Sequence, residues 1–173
     1  VQRAPEELYD LESDPWELVN LAKHPEQQQT LQALRDECDR WQTEVRDAHL
    51  LPEAMLDEGE QRLGSRWQIL QTSDGEQRTV ELLKAAKQAS RLDEKTADAV
   101  SRSLAEDRAA RWWQMMLLTH SPHAENRIET FRTQLTSEEP LIKLAAALGL
   151  SQAGQSSESL IALKELLGSG NEF

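Results

Sequence analysis

The chain has 173 residues, and its 31 acidic and 19 basic side chains give a formal net charge of −12. A surface of that sign repels phosphate backbones and anionic lipid headgroups, so we expect neither nucleic-acid binding nor attachment to an anionic membrane. Hydrophobic residues make up 38% of the sequence and aromatic residues 5%, which favours stacked helices over a thick β-sandwich. No apolar run approaches the roughly 20 residues of a transmembrane helix, so we predict no membrane span.

The opening segment predicts a short strand followed by a sharp turn. Glu7–Leu11 is an apolar-rich run around Tyr9 and predicts the strand. Ser13–Pro15 has the composition of a turn, and a proline suits the first position of a helical turn. We interpret the acidic residues around this turn as solvated or helix-capping groups rather than metal ligands; they are Glu6, Glu7, Asp10, Glu12, Asp14 and Glu17.

An amphipathic helix is predicted from Glu26 to about Ala48. Its apolar residues recur at spacings of three and four and form one narrow stripe: Leu31, Leu34, Cys38, Trp41 and Val45. A narrow stripe indicates a helix that lies on a surface rather than one that crosses a core. Cys38 is the single cysteine, which excludes an intrachain disulfide. Its position on the stripe favours a small buried side chain over a reactive thiol.

The region that follows predicts a border between two parts of the chain. Leu50–Pro52 ends the amphipathic helix, and a second short helix is predicted from Glu53 to Arg62, ending near Gly64. Gln71–Glu76 is a polar turn cluster. We therefore predict an N-terminal part over residues 1–52, a linker with a short helix over 53–76, and a helical part over 77–173.

The predicted helical part contains an internal repeat. Its helices are separated by polar breaks near Leu92, Glu106, His120, Thr136, Gly154 and Gly168. Asp107–Leu118 aligns with Glu139–Leu150 at an offset of 32, with Arg111 on Lys143, Trp113 on Ala145 and Met116 on Leu148. Helix pairs that repeat with such a period predict an α-solenoid. The pattern resembles short HEAT-like repeats, so the predicted fold class is mainly α, with a short N-terminal strand and turn.

Two groups of side chains in this part invite functional interpretations. Trp112 and Trp113 are adjacent, so we expect Trp113 in the core and Trp112 partly exposed. For Trp112 we favour packing between repeats over a surface that binds a partner protein or a carbohydrate. His120 and His123 flank a proline without a third ligand nearby in the sequence, so we interpret them as loop residues rather than as a metal site.

The opening segment also carries a family resemblance. The blocks Glu7-Leu-Tyr-Asp-Leu11 and Asp14-Pro-Trp-Glu-Leu-Val-Asn-Leu-Ala22 occur together. In this combination they resemble the segment near the C-terminal end of the catalytic region in sulfatases, the formylglycine-dependent enzymes of the alkaline-phosphatase-like superfamily. The resemblance runs from Arg3 to about Leu70 and includes Leu50–Leu56, which looks like the end of bacterial sulfatases. Some bacterial sulfatases carry HEAT-like repeats after the catalytic region, which is the order predicted here.

The resemblance implies roles for several residues. Asp14, Glu17 and Asn20 would form a structural lock that caps the turn, with Leu18 and Leu21 packing beside it. Arg3 corresponds to a basic residue that lies near the substrate cleft in some members.

The catalytic motif of that family is missing from this sequence. The family's nucleophile lies in a Cys/Ser-x-Pro/Ala-x-Arg motif. Cys38 does not fit this motif, because it is followed by Asp39-Arg40-Trp41. Ser121-Pro122 does not fit either, because the required arginine does not follow. We therefore expect no catalytic residue, cofactor or metal ligand in this chain. The resemblance implies formylglycine and calcium in the parent enzyme.

Two hypotheses about function remain. In the first, the chain is the C-terminal part of a periplasmic or secreted sulfatase that acts on sulfated carbohydrate, and its partner is the catalytic domain of the same parent. The start at Val1 without an initiator methionine fits such a tail. In the second, the chain is a stand-alone α-solenoid that binds other proteins, and the opening match is incidental. A Cys/Ser-x-Pro/Ala-x-Arg motif upstream of Val1 would distinguish the first hypothesis from the second.

Overall fold

The computed structural model describes residue 4 and residues 6–168, and this part of the chain is mainly helical. The predicted mainly α fold class is therefore confirmed. The described α-helices are α1 Gln28–Val45, α2 Glu53–Leu63, α3 Gly75–Arg91, α4 Glu94–Ser101, α5 Arg108–His120, α6 Ile128–Gln134, α7 Pro140–Gln152 and α8 Ser156–Gly168. Short 3₁₀ segments lie at Pro25–Gln27, Ala48–Leu50, Arg66–Leu70 and Ala124–Arg127. Within the described residues, no helix is long and apolar enough to cross a membrane.

The strand predicted over Glu7–Leu11 is not confirmed. Residues 6–10 have no regular secondary structure, residues 11–13 form a turn, and residues 6–168 contain no β-strand. A strand is stable only when it pairs with neighbouring strands. The described part of the chain provides no such neighbour, so the alternation of apolar and polar residues is not sufficient for a strand here.

The chain divides into two compact units, Val1–Val45 and Arg46–Phe173. We call them the N-terminal unit and the helical unit. Residues 53–63, which the sequence assigns to a linker, form α2 inside the helical unit. This helix ends at Gly64, whose φ of 77° places it in the left-handed region that favours glycine. The predicted borders at residues 52 and 76 stay predictions.

Helix ends in the helical unit follow local capping chemistry. Asp107 caps the start of α5, because its carboxylate accepts the backbone N–H groups of Ala109 and Ala110, each at 2.9 Å. Asp93 caps the start of α4 in the same way and accepts the backbone N–H of Thr96 at 2.8 Å. The bounds of α5 and α7 are 32 residues apart at both ends, since Arg108 and Pro140 begin them and His120 and Gln152 end them.

The core of the helical unit lies along a series of neighbouring helices. Helix α5 packs against α3 and α7, and α7 also packs against α6 and α8. Phe131 of α6 is fully buried, and Gly149 of α7 lies against its ring. Because Gly149 has no Cβ, the two helices can approach closely at this point.

The two adjacent tryptophans of α5 are both half-buried, so the expectation that Trp113 alone occupies the core is only partly correct. Trp113 packs beside the core formed by α2, α3 and α5, but its indole N–H also needs a partner and donates to the Leu50 carbonyl at 2.8 Å. The two rings lie edge to face, with centroids 4.9 Å apart and an interplanar angle of 75°. Trp112 therefore packs on Trp113 within α5, while Trp113 also packs beside that core.

Candidate functional site

The best-organised polar arrangement in the N-terminal unit is the turn over residues 6–22, with Asn20 at its centre. The Asn20 side-chain oxygen accepts the backbone N–H of Leu8 at 3.0 Å and that of Ala22 at 3.0 Å. The Asn20 amide donates to the Glu6 carbonyl at 2.9 Å, and the backbone N–H of Leu21 donates to the Leu8 carbonyl at 2.7 Å. These bonds join the two arms of the turn through one half-buried amide.

The tip of the turn is held by two aspartates. The carboxylate of Asp14 accepts the backbone N–H of Val19 at 2.8 Å. The carboxylate of Asp10 accepts the Glu12 backbone N–H at 3.1 Å and the Ser13 hydroxyl at 2.8 Å. These hydrogen bonds lower the pKa of the Asp10 carboxyl from its ordinary value, and the bond from the Ser13 hydroxyl has the largest effect. The carboxylates therefore act as acceptors for the loop backbone.

Glu17 occupies a special position in this turn through its backbone. Its φ is 55°, a left-handed conformation that is uncommon for a residue other than glycine. Its backbone N–H donates to the Asp14 carbonyl at 3.1 Å. The structure thus brings Asp14, Glu17 and Asn20 together in one turn. Glu17 contributes backbone geometry, whereas Asp14 and Asn20 contribute side-chain hydrogen bonds.

Helix α1 is tied to the same turn by an ion pair that the sequence does not reveal. The guanidinium of Arg35 donates from Nε to Glu6 Oε1 at 2.7 Å and from Nη2 to Glu6 Oε2. This hydrogen bonding lowers the pKa of the Glu6 carboxyl and outweighs the opposing effect of desolvation. The Gln28 side chain adds bonds to the Ala22 and His24 carbonyls, each at 3.0 Å. The two charged residues are 29 positions apart, so no local pattern predicts their pairing.

The apolar residues of this unit are more exposed than their sequence pattern predicts. Leu18, expected to pack beside the turn, is 79% exposed, and Trp16 is 81% exposed. On α1, Leu31 is buried, whereas Leu34 and Trp41 are more than half exposed. The periodic pattern identifies an apolar face but does not show what covers it.

Cys38 is also exposed, so its assignment to a buried core is wrong. It lies on the same face of α1 as Leu34 and Trp41, which are more than half exposed. Its thiol lies 3.7 Å from the side-chain oxygen of Gln42, one turn further along the helix.

The other predicted site residues do not come together. Arg3 lies outside the described residues. His120 is exposed, with its Nδ1 2.9 Å from the Met116 carbonyl, and His123 is exposed beside Glu125 at 3.2 Å. Among residues 6–168, no group of three or more His, Cys, Asp and Glu side chains is arranged to hold a metal ion.

These features describe a mainly helical chain with a hydrogen-bonded N-terminal turn and an uncovered apolar face. The chain is similar to the ulvan-active sulfatase of Formosa agariphila, with 55% identity over 51 residues. The match covers 30% of this chain and 9% of that relative, so the matched segment is a small part of the relative's length. No family model and no solved structure matches the chain. The chain thus contains a sulfatase-related segment.

Proposed function

We propose that this chain is the C-terminal part of a sulfatase and that its N-terminal unit binds the catalytic domain of the same parent. The observation that carries the proposal is the 55% identity over 51 residues with a sulfatase. Identity at that level over so many residues is better explained by common descent than by a chance match of turn and helix residues. The hydrogen-bonded turn around Asn20 supports a structural role for the N-terminal unit.

The uncovered apolar face gives this docking a physical basis. Leu34 and Trp41 on α1 expose large apolar side chains, as do Trp16 and Leu18 in the turn, and each is more than half accessible. Removing such surface from water contributes about 25 cal/mol per Å², so a matching apolar surface on the catalytic domain would bind here. We also propose that residues 7–11 become a strand when a sheet of the catalytic domain provides an edge for pairing.

The parent enzyme would hydrolyse sulfate esters of a carbohydrate, with formylglycine as its nucleophile and calcium as its metal, in the periplasm or outside the cell. The relative is named as active on ulvan, and we carry over only the class of sulfated carbohydrate. The described residues do not fit a calcium site, because they hold no group of three or more His, Cys, Asp and Glu side chains arranged for a metal ion. The sequence also lacks the Cys/Ser-x-Pro/Ala-x-Arg motif. In this proposal the chain's own role is structural support or interaction.

For the helical unit we propose an α-solenoid of HEAT-like helix pairs. The 32-residue offset between the bounds of α5 and α7 favours this architecture, as does the series of neighbouring contacts from α3 through α5 and α7 to α8. The same observations favour a second candidate function, a stand-alone solenoid that binds other proteins. In that case the N-terminal unit would bind no sulfatase domain.

The two candidates are separated by expressing the upstream catalytic part and this chain as separate polypeptides. We expect them to associate in size-exclusion chromatography, and we expect Trp41→Glu to weaken that association. Trp67→Glu is a matched control, because Trp67 is 60% exposed but lies in the helical unit. An upstream reading frame without the nucleophile motif, or sulfate-ester hydrolysis by this chain alone, would contradict the sulfatase proposal.

A further inference from the structure

A small pocket in the helical unit gathers positive charge in a chain that is otherwise strongly acidic. The pocket has a volume of about 210 Å³ and is lined by the side chains of Arg62, Arg78 and Arg108. One carboxylate, Glu58, also lines it. The lining therefore has three positive groups and one negative group, against a formal charge of −12 for the whole chain. We call this feature the arginine pocket.

Buried apolar residues also line the arginine pocket. Leu51, Met55 and Ile69 line it and are 4%, 5% and 7% exposed. Gly59 belongs to the same lining, and a Cβ at this position would collide with the Ile69 side chain. Buried apolar neighbours lower the local dielectric constant, which strengthens the attraction between a guanidinium and a bound anion relative to the same pair in water.

Two of the arginines are held in place by acidic partners. Arg78 donates from Nε to the Asp107 carboxylate at 2.8 Å, and the same carboxylate caps α5. Arg108 donates to Glu58 and, at 3.4 Å, to Glu139. A guanidinium has five N–H donors, so one anchoring bond at Arg78 leaves further donors for a ligand.

Arg62 differs from the other two arginines. It lies in the last turn of α2, is exposed, and makes no ion pair or hydrogen bond within the described residues. Its charge is therefore available to an incoming group. Arg62 contributes the excess positive charge, while Arg78 and Arg108 provide pre-oriented donors, an arrangement that lowers the entropic cost of binding.

We propose that the arginine pocket is a binding subsite for an oxyanion, such as a sulfate, carboxylate or phosphate group carried by a ligand. Guanidinium groups match the geometry of these oxyanions with paired N–H donors. Glu58 competes for the same donors, because its carboxylate lies in the lining and binds Arg108. A ligand anion enters by displacing Glu58, which is free to turn towards water because its side chain is 56% exposed. The proposal concerns the helical unit and does not rest on the sulfatase assignment.

The test is an NMR titration of the 173-residue chain at constant ionic strength. Sodium sulfate, phosphate and acetate are added against sodium chloride while the arginine Nε–Hε signals are followed. A lone oxyanion in such a site should bind with a dissociation constant of about 1 mM. Glucose 6-sulfate and glucose, compared in the same way, distinguish a sulfate ester on a sugar from free inorganic sulfate.

Three variants determine where the anion binds. We expect Arg62→Gln to weaken binding roughly tenfold, because one charge-assisted contact is lost. We expect Glu58→Gln to tighten binding by a similar factor, since the competing carboxylate is removed while Glu139 still anchors Arg108. Arg91→Gln is the matched control, an exposed arginine at the end of α3 and outside the pocket. Shifts that do not saturate, that chloride reproduces, or that are insensitive to both Arg62→Gln and Glu58→Gln would overturn the proposal.

Discussion

The side-chain oxygen of Asn20 accepts the backbone N–H of Leu8 at 3.0 Å, across twelve positions of sequence. The Leu8 carbonyl in turn accepts the backbone N–H of Leu21 at 2.7 Å. Leu8 therefore has both of its backbone groups paired with the opposite arm of the turn. A loop in which backbone groups are satisfied in this way can keep a defined shape without regular secondary structure.

Asn20→Ala should open this turn. The substitution removes the acceptor for the Leu8 and Ala22 N–H groups and the donor for the Glu6 carbonyl, so we expect a loss of about 1–3 kcal/mol in the free energy of local opening. Amide hydrogen exchange at Leu8 and Ala22 measures this free energy of opening directly. Asn126→Ala is the control, because Asn126 is an exposed residue of a 3₁₀ segment in the helical unit. Unchanged exchange at Leu8 would show that Asn20 does not hold the turn.

The Glu6–Arg35 pair should make the same turn sensitive to acid. Arg35 lowers the pKa of the Glu6 carboxyl below its ordinary value of 4.5, chiefly through their hydrogen bonds. A lowered carboxyl pKa means stability that is present above pH 4.5 and is lost as the pH falls through the folded-state value. Glu6 is 45% exposed, so solvent screening keeps the effect small.

This pH dependence is measured by amide exchange at Leu8 as the pH is lowered from neutral to well below 4.5, the ordinary pKa of the Glu6 carboxyl. We expect Arg35→Gln to abolish the difference in opening free energy between the two ends of that range. Arg40→Gln should preserve it, because Arg40 pairs with Glu37 and Glu44 on α1 itself. An acid response that survives Arg35→Gln would mean that another carboxylate is responsible.

The sequence predicts those parts of the fold that depend on local chemistry. The predicted polar breaks near Glu106 and His120 mark the ends of α5, and Gly64 marks the end of α2. The periodic spacing of Leu31 and Leu34 correctly predicts α1 as a helix, but its apolar face is largely exposed. Periodicity gives the direction of a side chain, whereas burial depends on a second surface that the local sequence does not encode.

Contacts between distant residues are the part that sequence reasoning misses. Arg127 is 2% exposed and pairs with Asp98, which is 29 positions away. Arg62 and Arg108 line one pocket although α2 and α5 are separated by two other helices in sequence. Such pairs depend on helix packing, and a single sequence carries no signal of the packing partner.

Cys38 should react with a maleimide in the folded chain without denaturant, because its side chain is exposed on α1. Mass spectrometry of the labelled chain measures the rate, and the same chain in urea gives the rate for full exposure. We expect the two rates to differ by less than about tenfold. In the proposed complex with the catalytic domain, labelling should slow if Cys38 lies under the interface. Strong protection in the isolated chain would contradict the exposed position.

Arg127→Met should destabilise the helical unit by about 2–3 kcal/mol. The guanidinium donates to the Pro122 and His123 carbonyls and pairs with Glu94 and Asp98, with distances between 2.8 and 3.0 Å. The two acidic partners are partly exposed and regain water, which limits the cost. Urea unfolding, monitored by circular dichroism, gives the change in the free energy of unfolding. Arg91→Met is the control and should change stability little, because Arg91 is exposed on α3. An equal loss of stability in both variants would show that the contacts of Arg127 do not stabilise the helical unit.

Gly149→Ala should destabilise the contact between α6 and α7, whereas Gly168→Ala should not. A Cβ at Gly149 would meet three ring carbons of Phe131, all at or within 2.7 Å, and that ring is fully buried. Alanine gains about 1 kcal/mol in helix propensity, but overpacking costs about 1–3 kcal/mol, so we expect a net loss. At Gly168, the last residue of α8, a Cβ would meet no atom within 4 Å, so the propensity gain remains. Urea unfolding of both variants should therefore show changes of opposite sign, and a stabilising Gly149→Ala would mean that the Phe131 ring can move aside.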